Sequence, residues 1–271
     1  MFEGKSIELI TIPSTVVKIQ PQYCDAKIKL EDGNATYEVI NNCLIEKATK
    51  KLISGGKYSI IPEGVKEIGD GAFAGTSIEE ITMPNTVNKI GMVAFDDCKK
   101  LKTVTLNEGL NEIGYSAFGY SSIESITIPG TVNDTGIHAF SCCKNLKKVT
   151  LNEGVKSIGN SGFLETSIEE IVIPSTVEKI EALAFHGCIN LKKVTLNEGL
   201  KEIEDLVFVC KQIETITIPS TVKKIGRVPF FLCNNLPRID CKLKKSYVEA
   251  NKSSFEVLDE RGRPRINWIN G

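Results

Sequence analysis

The stretch Ile216–Gly226, "ITIPSTVKKIG", has near-copies in "ITMPNTVNKIG" from Ile81, "ITIPGTVNDTG" from Ile126 and "IVIPSTVEKIE" from Ile171. Their starts lie 45 residues apart, and a further copy, "ITIPSTVVKIQ", begins at Ile10. A fixed period of this kind marks a repeat architecture, and every other inference about the chain depends on it.

Phenylalanine sets the frame. Phe73, Phe95, Phe118, Phe140, Phe163, Phe185, Phe208 and Phe230 are spaced alternately by 22 and 23 residues. Each 45-residue period is therefore a pair of similar units, one reading "SIEEITMPNTVNKIGMVAF" and the other "LKTVTLNEGLNEIGYSAF". The extra residue accompanies a cysteine: Cys98, Cys143, Cys188 and Cys233 stand between the Phe and the next Leu in every second unit.

Aligned columns reveal the core. Ile81, Val104, Ile126, Val149, Ile171, Val194 and Ile216 form one, and Met83, Leu106, Ile128, Leu151, Ile173, Leu196 and Ile218 the next. One polar residue separates the two columns, which is the period of a half-buried strand. A unit this short cannot bury its own apolar face, but stacked units can. Pro84, Pro129, Pro174 and Pro219 end the strand cheaply, and in alternate units Asn-Glu-Gly does so, with Gly109, Gly154 and Gly199 free to take positive φ. The pattern predicts a β-rich solenoid of stacked coils, with one short parallel strand per coil and short helical or irregular return segments.

Four segments follow: a partial repeat over 1–19, an irregular insertion with a hairpin over 20–58, the solenoid over 59–241 and a C-terminal cap over 242–271. In "TYEVINNCLIEKATKKLISGGKYSII" three extended runs are expected, with turns at Asn41-Asn42 and Gly55-Gly56. Because "FEGKSI" at Phe2–Ile7 starts in mid-unit, the first apolar end face is expected to be covered by earlier repeats or by another molecule. Tyr247, Phe255, Ile266 and Trp268 suit a cover for the last coil. Thr135 occupies the column of Ile90 and Ile113, so its coil should pack less well.

Composition excludes several functions. The net charge of -1 over 271 residues leaves no electrostatic footprint for nucleic acid or an anionic membrane. No apolar run approaches the roughly 20 residues of a spanning helix. The opening "MFEGKSIELITIPS" lacks the basic flank and apolar core of a signal peptide, so no export address is expected there.

The in-register cysteines recur every second coil, roughly 9–10 Å apart by strand spacing. A disulfide needs Cα atoms within about 7 Å, so these four are expected as free thiols acting as small buried hydrophobes. Cys142 should point outward, Cys241 ends the column of Met83, Leu106 and Ile128, and no pairing is assigned to Cys24, Cys43, Cys210 and Cys241. No Cys-x-x-Cys pair supports a metal site. His138 and His186 sit in variable slots and read as surface filler. "SGGKYS" at Ser54–Ser59 lacks the spacing of a phosphate loop and reads as a hairpin turn. The acidic residues fall in repeated columns rather than one constellation. A non-enzymatic protein without a cofactor is expected.

Two kinds of exposed column remain. Glu79, Lys102, Glu124, Lys147, Glu169, Lys192 and Glu214 alternate in sign, which predicts inter-coil ion pairs that also set register. The outward strand positions form two ranks. Glu80, Thr103, Ser125, Lys148, Glu170, Lys193 and Thr215 make one, and Thr82, Thr105, Thr127, Thr150, Val172, Thr195 and Thr217 the other. A threonine rank is what ice-binding solenoids present, but the charged rank beside it suits a broad recognition surface. Apart from Val172, these residues are the expected partner-binding face.

The unit F-x-x-C-x-x-L-x-x-V-x-L-x-x-G-V-x-x-I-x-x-x-A-F resembles the BspA-like leucine-rich repeats, found in surface proteins of anaerobic bacteria and parasitic protists. The resemblance covers Ile60–Cys241, with a partial unit at Phe2–Ile19, and extends to the join "IIPEGVKEIGDGAF" before Phe73. It implies a leucine-rich-repeat solenoid acting as an adhesion or recognition module, whose protein ligand would be extracellular matrix or a host cell surface. Surface or secreted location is likewise implied by the resemblance alone. A cytoplasmic interaction scaffold is the alternative that the free thiols suit.

Overall fold

A computed structural model describes residues 7–21, 25–251 and 266–268. Cys24, Phe2 and Phe255 lie outside them.

Alternating apolar residues place a short strand in each coil, and these strands stack in parallel. Glu80–Thr82, Thr103–Thr105, Ser125–Ile128, Lys148–Leu151, Glu170–Ile173 and Lys193–Leu196 form one six-stranded sheet in that spatial order. We call it the face sheet. Its inward residues are buried and its outward ones alternate with them. Thr217–Ile218, Ile239–Cys241 and Ile266–Trp268 continue the stack as a separate parallel sheet.

The single strand expected per coil becomes two. A two-residue strand on a second side pairs at Glu67–Ile68, Lys89–Ile90 and Glu112–Ile113, and again at Ser157–Ile158, Lys179–Ile180, Glu202–Ile203 and Lys224–Ile225. These pairs are too short to show a period of two in sequence. The break between the two blocks falls at Thr135. That residue is fully buried, and its Oγ1 accepts a hydrogen bond from the Gly159 N–H at 3.0 Å. The expected fault is thus a local split of the side ladder, with the polar atom satisfied.

The return segments are hydrogen-bonded turns, not helices. In each coil the residue two before Phe takes a left-handed conformation: Val93, Ser116, His138, Ser161, Leu183, Leu206 and Val228 have φ between 42° and 60°. That is costly for side chains branched at Cβ. Coil-to-coil bonds hold them there, as in Val93 N–H to Tyr115 O (2.8 Å) and His138 N–H to Asn160 O (2.9 Å). Among the described residues the helix Lys245–Ala250 lies beyond the coils. Of the three glycines expected at positive φ, Gly154 (118°) and Gly199 (121°) adopt it. Gly109 does not; its N–H is instead bonded to the Asn107 Oδ1 at 2.6 Å.

The core is a stack of rings. The eight phenylalanines lie within 9° of parallel, with centroid separations rising from 4.9 Å at Phe73–Phe95 to 5.8 Å at Phe208–Phe230. Separations this large between near-parallel rings mean offset stacking, the arrangement aromatic quadrupoles favour. Each Phe N–H from Phe73 to Phe208 also bonds a carbonyl of the next coil, at 2.7–3.0 Å.

Beside the rings runs a polar column: Thr76, Cys98, Ser121, Cys143, Thr166, Cys188, Cys210 and Cys233. The cysteines do more than fill space. Each Sγ donates to the Phe carbonyl of the preceding coil, at 2.8–3.2 Å, and Thr76, Ser121 and Thr166 hydroxyls lie 3.2–3.7 Å from the next thiol. Cys210 belongs to this column although its unit lacks the repeat's cysteine position. The two-coil spacing therefore fails at the C-terminal end, where Cys188, Cys210 and Cys233 occupy successive coils; all three are free.

The insertion is an antiparallel trio, Tyr37–Ile40, Cys43–Glu46 and Lys51–Ser54. Its first turn is at Asn41-Asn42, both left-handed. The second lies at 47–50, closed by the Lys50 N–H to Glu46 O bond, and not at Gly55-Gly56; it contains neither Gly nor Pro, so the usual signal is missing. Ser54–Ser59 is accordingly no hairpin turn, because Lys51–Ser54 runs parallel to the next strand, Glu67–Ile68. Cys43, Ile45 and Leu52 join the solenoid core, so the insertion covers the side of the coil that ends at Phe73, whereas the end face at Phe2 lies outside the described residues. A second small core of Ile12, Ile28, Tyr37 and Leu44 lies beyond.

Truncating a central ring removes contacts on two sides. Phe118→Ala is expected to cost about 3–5 kcal/mol in urea denaturation, and Phe230→Ala, stacked on one ring, clearly less.

Candidate functional site

The outward ranks form one continuous face because parallel pairing keeps each coil in register with the next. Glu80 and Thr82 stand opposite Thr103 and Thr105, and Ser125 opposite Thr103 and Lys148. Thr127 faces Thr150, Glu170 lies between Lys148 and Lys193, and Thr215 bridges to Lys193. All thirteen expected face residues are thus brought together. Thr195 and Thr217 are half-buried, beside a shallow cavity of about 170 Å³, and the others are exposed. Val172 interrupts the threonine rank as an exposed apolar residue.

The charges are distributed differently from the expectation. In the alternating column only Lys102–Glu124 comes within ion-pair distance, at 3.9 Å, among the described residues. The column is held instead by its backbone, with bonds such as Lys102 N–H to Glu79 O and Lys192 N–H to Glu169 O, both 2.9 Å. Long side chains at the surface gain little by pairing and splay into water. Ion pairs gather on the second side instead, as at Lys89–Glu112 (3.0 Å) and Lys179–Glu204 (2.8 Å). On the face itself, none of Glu80, Lys148, Glu170 and Lys193 has an ion-pair partner among the described residues. Their charges remain available to a ligand.

Two concavities were not legible as sites. At the N-terminal end of the face, Lys57–Ile61 and Ile78–Thr82 line a cavity of about 860 Å³. Tyr58 and Ile60 stand exposed on its wall, and the Lys27 and Lys57 ammonium groups lie 5.8 and 5.5 Å from the Tyr58 ring. The register of Pro62 with Pro84 puts Tyr58 and Ile60 in the two outward ranks, a signal hidden by the adjoining insertion. A second hollow of about 540 Å³ is lined by Tyr120, Cys142, Lys144 and Glu165. There Lys144 bonds Glu165 at 2.5 Å, and that bond holds the Glu165 carboxyl below its usual range. Tyr120, Cys142 and Glu165 occupy the variable slot two after Phe, where no repeat announces them, and Lys144 follows Cys142 by two residues.

The histidines are not mere filler. Both are half-buried; His138 meets the Tyr115 ring edge-on at 5.4 Å, and the buried Nδ1 of His186 has no hydrogen-bond partner among the described residues. Cys43, Cys210 and Cys241 are buried free thiols, and Cys142 is half-exposed. Burial pushes Cys98 up to about 11, and Cys43 and Cys143 up to about 12. The Cys188 thiol and burial push Cys210 up as well.

A sequence profile of the BspA type leucine rich repeat region matches six copies in this chain, over residues 66–182 and 156–257. Among solved structures, a leucine-rich repeat protein from Eubacterium ventriosum is 27% identical with a TM-score of 0.65, over 83% of this chain and 58% of that one. The present chain thus spans little more than half that protein's length. A leucine-rich repeat protein from T. pallidum is 24% identical with a TM-score of 0.54, covering 80% of this chain and 91% of that one. The pneumococcal vaccine antigen PcpA is 22% identical with a TM-score of 0.50, covering 93% and 72%. These last two show a shared fold. No curated protein sequence matches the chain.

Among the described cysteines, Cys142 is expected to react first with a thiol-specific disulfide reagent in the native protein, the others only on unfolding. Cys43, Cys98 and Cys143 keep their protons above the ordinary thiol pKa of about 8.5, so through them the folded state binds more protons than the unfolded one above that pH. Stability should therefore fall as pH rises from about 8.5 towards 11. Melting curves at pH 7.5 and 9.5 check this, and Cys98→Ala with Cys143→Ala should shrink the difference.

Proposed function

The chain belongs to the BspA-type leucine-rich repeat family, and we propose that it is a non-enzymatic protein-recognition module whose face sheet binds extracellular-matrix or host-cell proteins as a surface adhesin. The observation that carries this is the set of unpaired face charges, Glu80, Lys148, Glu170 and Lys193, fixed in register among exposed threonines. Paired strands fix the backbone positions of these residues before the partner arrives, so only side-chain freedom is left to be lost on binding. No described helix is long and apolar enough to cross a membrane.

One observation favours a second reading. The eight described cysteines are all unpaired, as suits a reducing compartment, and a cytoplasmic interaction scaffold would use the same face. Labelling intact producing cells with a membrane-impermeant amine reagent separates the two. Labelling of this chain is the outcome expected of an adhesin; protection equal to that of cytoplasmic controls removes the adhesin reading.

The face makes a sharper demand. Lys148→Glu with Lys193→Glu should weaken binding to immobilised matrix extract about tenfold or more, a loss of about 1.4 kcal/mol. Lys102→Glu with Lys147→Glu, one column away, should change it less than twofold. Equal losses from the two pairs would move the contact off the strand face.

A further inference from the structure

The two sides of the solenoid begin differently. On the second side the antiparallel trio pairs onto the first short strand, through Lys51 with Glu67 and Leu52 with Ile68. On the face side the sheet simply stops at Glu80–Thr82. The preceding rung exists in sequence as Lys57–Ile61, but it is drawn towards the insertion. The Ser59 N–H is taken by Gly56 O at 3.0 Å and the Ile60 N–H by Asn41 O at 3.2 Å. The Ser59 hydroxyl donates to Asn42 O at 2.8 Å. Coil-to-coil bonding resumes only later, at Gly64 N–H to Thr86 Oγ1 and Asn88 N–H to Lys66 O. The cavity of about 860 Å³ lies where the missing pairing would be.

The edge it exposes is chemically specific. Lys102 N–H bonds Glu79 O, and Met83 N–H bonds Thr105 O, so Glu79 and Met83 point into the sheet. Alternation along a parallel strand then turns the N–H and C=O of Glu80 and Thr82 away from it. None of these four groups has a partner among the described residues. Glu79 and Glu80 also lack an ion pair there, whereas their counterparts Glu169 and Glu170 sit beside Lys147 and Lys148 of the preceding rung. An exposed strand edge of this kind is a template for another chain.

We propose that the Glu80–Thr82 edge takes an extended basic peptide as an added parallel strand. The peptide places two adjacent Lys or Arg residues beside Glu79 and Glu80, followed by an apolar–Thr–apolar run along the edge. Its backbone satisfies the open groups of Glu80 and Thr82, and the exposed Tyr58 and Ile60 flank it. This site is separate from the face charges of Lys148 and Lys193 and does not depend on them.

The solenoid supplies its own probe. The peptide "LKKVTLNEG", the sequence of Leu146–Gly154, is the rung that precedes Glu169 and Glu170 in register. Fluorescence anisotropy of the labelled peptide against the full chain should show saturable binding. Thr82→Pro removes one edge donor where an edge proline is tolerated, and should weaken binding tenfold or more with the circular dichroism unchanged. Glu79→Lys with Glu80→Lys should do the same. On the unaltered protein, N-methylation of the peptide amide at the position of Val149 should abolish binding, which keeps the test independent of how the variants fold. Lys148→Glu with Lys193→Glu should leave peptide binding unchanged, so that a failure here is distinct from a failure of the face. Absence of saturable binding, or binding indifferent to N-methylation and to Thr82→Pro, overturns the proposal.

Discussion

Every coil must set its phenylalanine on the ring below while its backbone reaches the coil above. That fit governs the rest of the molecule. The ring separations of 4.9–5.8 Å lie close to or somewhat above the roughly 4.8 Å between paired strands. One rise therefore serves the rings, the face sheet and the turns together. The polar column beside the rings makes the same fit from the carbonyl side, since each Cys thiol reaches back to the Phe of the coil before it. A ring of another size would disturb both at once. The left-handed residues of the turns follow from this too: Val93 and Val228 accept an unfavourable φ because the stack fixes where the chain must pass.

The face is a product of the stack. Parallel pairing in strict register turns repeated positions into straight ranks, and ranks of Thr with unpaired Lys and Glu make a surface with fixed chemistry. Where the register is broken, other features arise. Thr135 splits the side ladder and keeps its own hydroxyl bonded. Lys57–Ile61 leaves the face sheet with an open edge, because the insertion competes for the same backbone groups. Rigid repetition and local failure of repetition thus provide two different kinds of surface.

Much of this was legible in the sequence. Phe73 to Phe230, the strand columns and the outward ranks all repeat, so eight aligned copies reveal what one copy could not. What was missed lies where repetition is silent. The two-residue side strands at Lys89–Ile90 and its equivalents are shorter than any periodic signal. The turn at 47–50 uses Lys and Thr where Gly or Pro would have announced it. Cys210 entered the sulfur column from a shifted position. The alternation of Glu79, Lys102 and Glu124 led to an expectation of ion pairs all along the column, of which only Lys102–Glu124 forms among the described residues, because charge order says nothing of where flexible side chains settle. Tyr58 and Ile60 stayed hidden because the insertion next to them obscured their rank.

Amide hydrogen exchange, residue by residue, tests the stack most directly. The account predicts that the Phe118 and Phe140 amides, each bonded across coils beneath stacked rings, are among the slowest to exchange, with protection decreasing towards Phe73 and Phe230. Fast exchange at the central phenylalanines, with protection confined to the face strands, would contradict it: the sheet would then hold the coils together, and the rings would only fill the space inside.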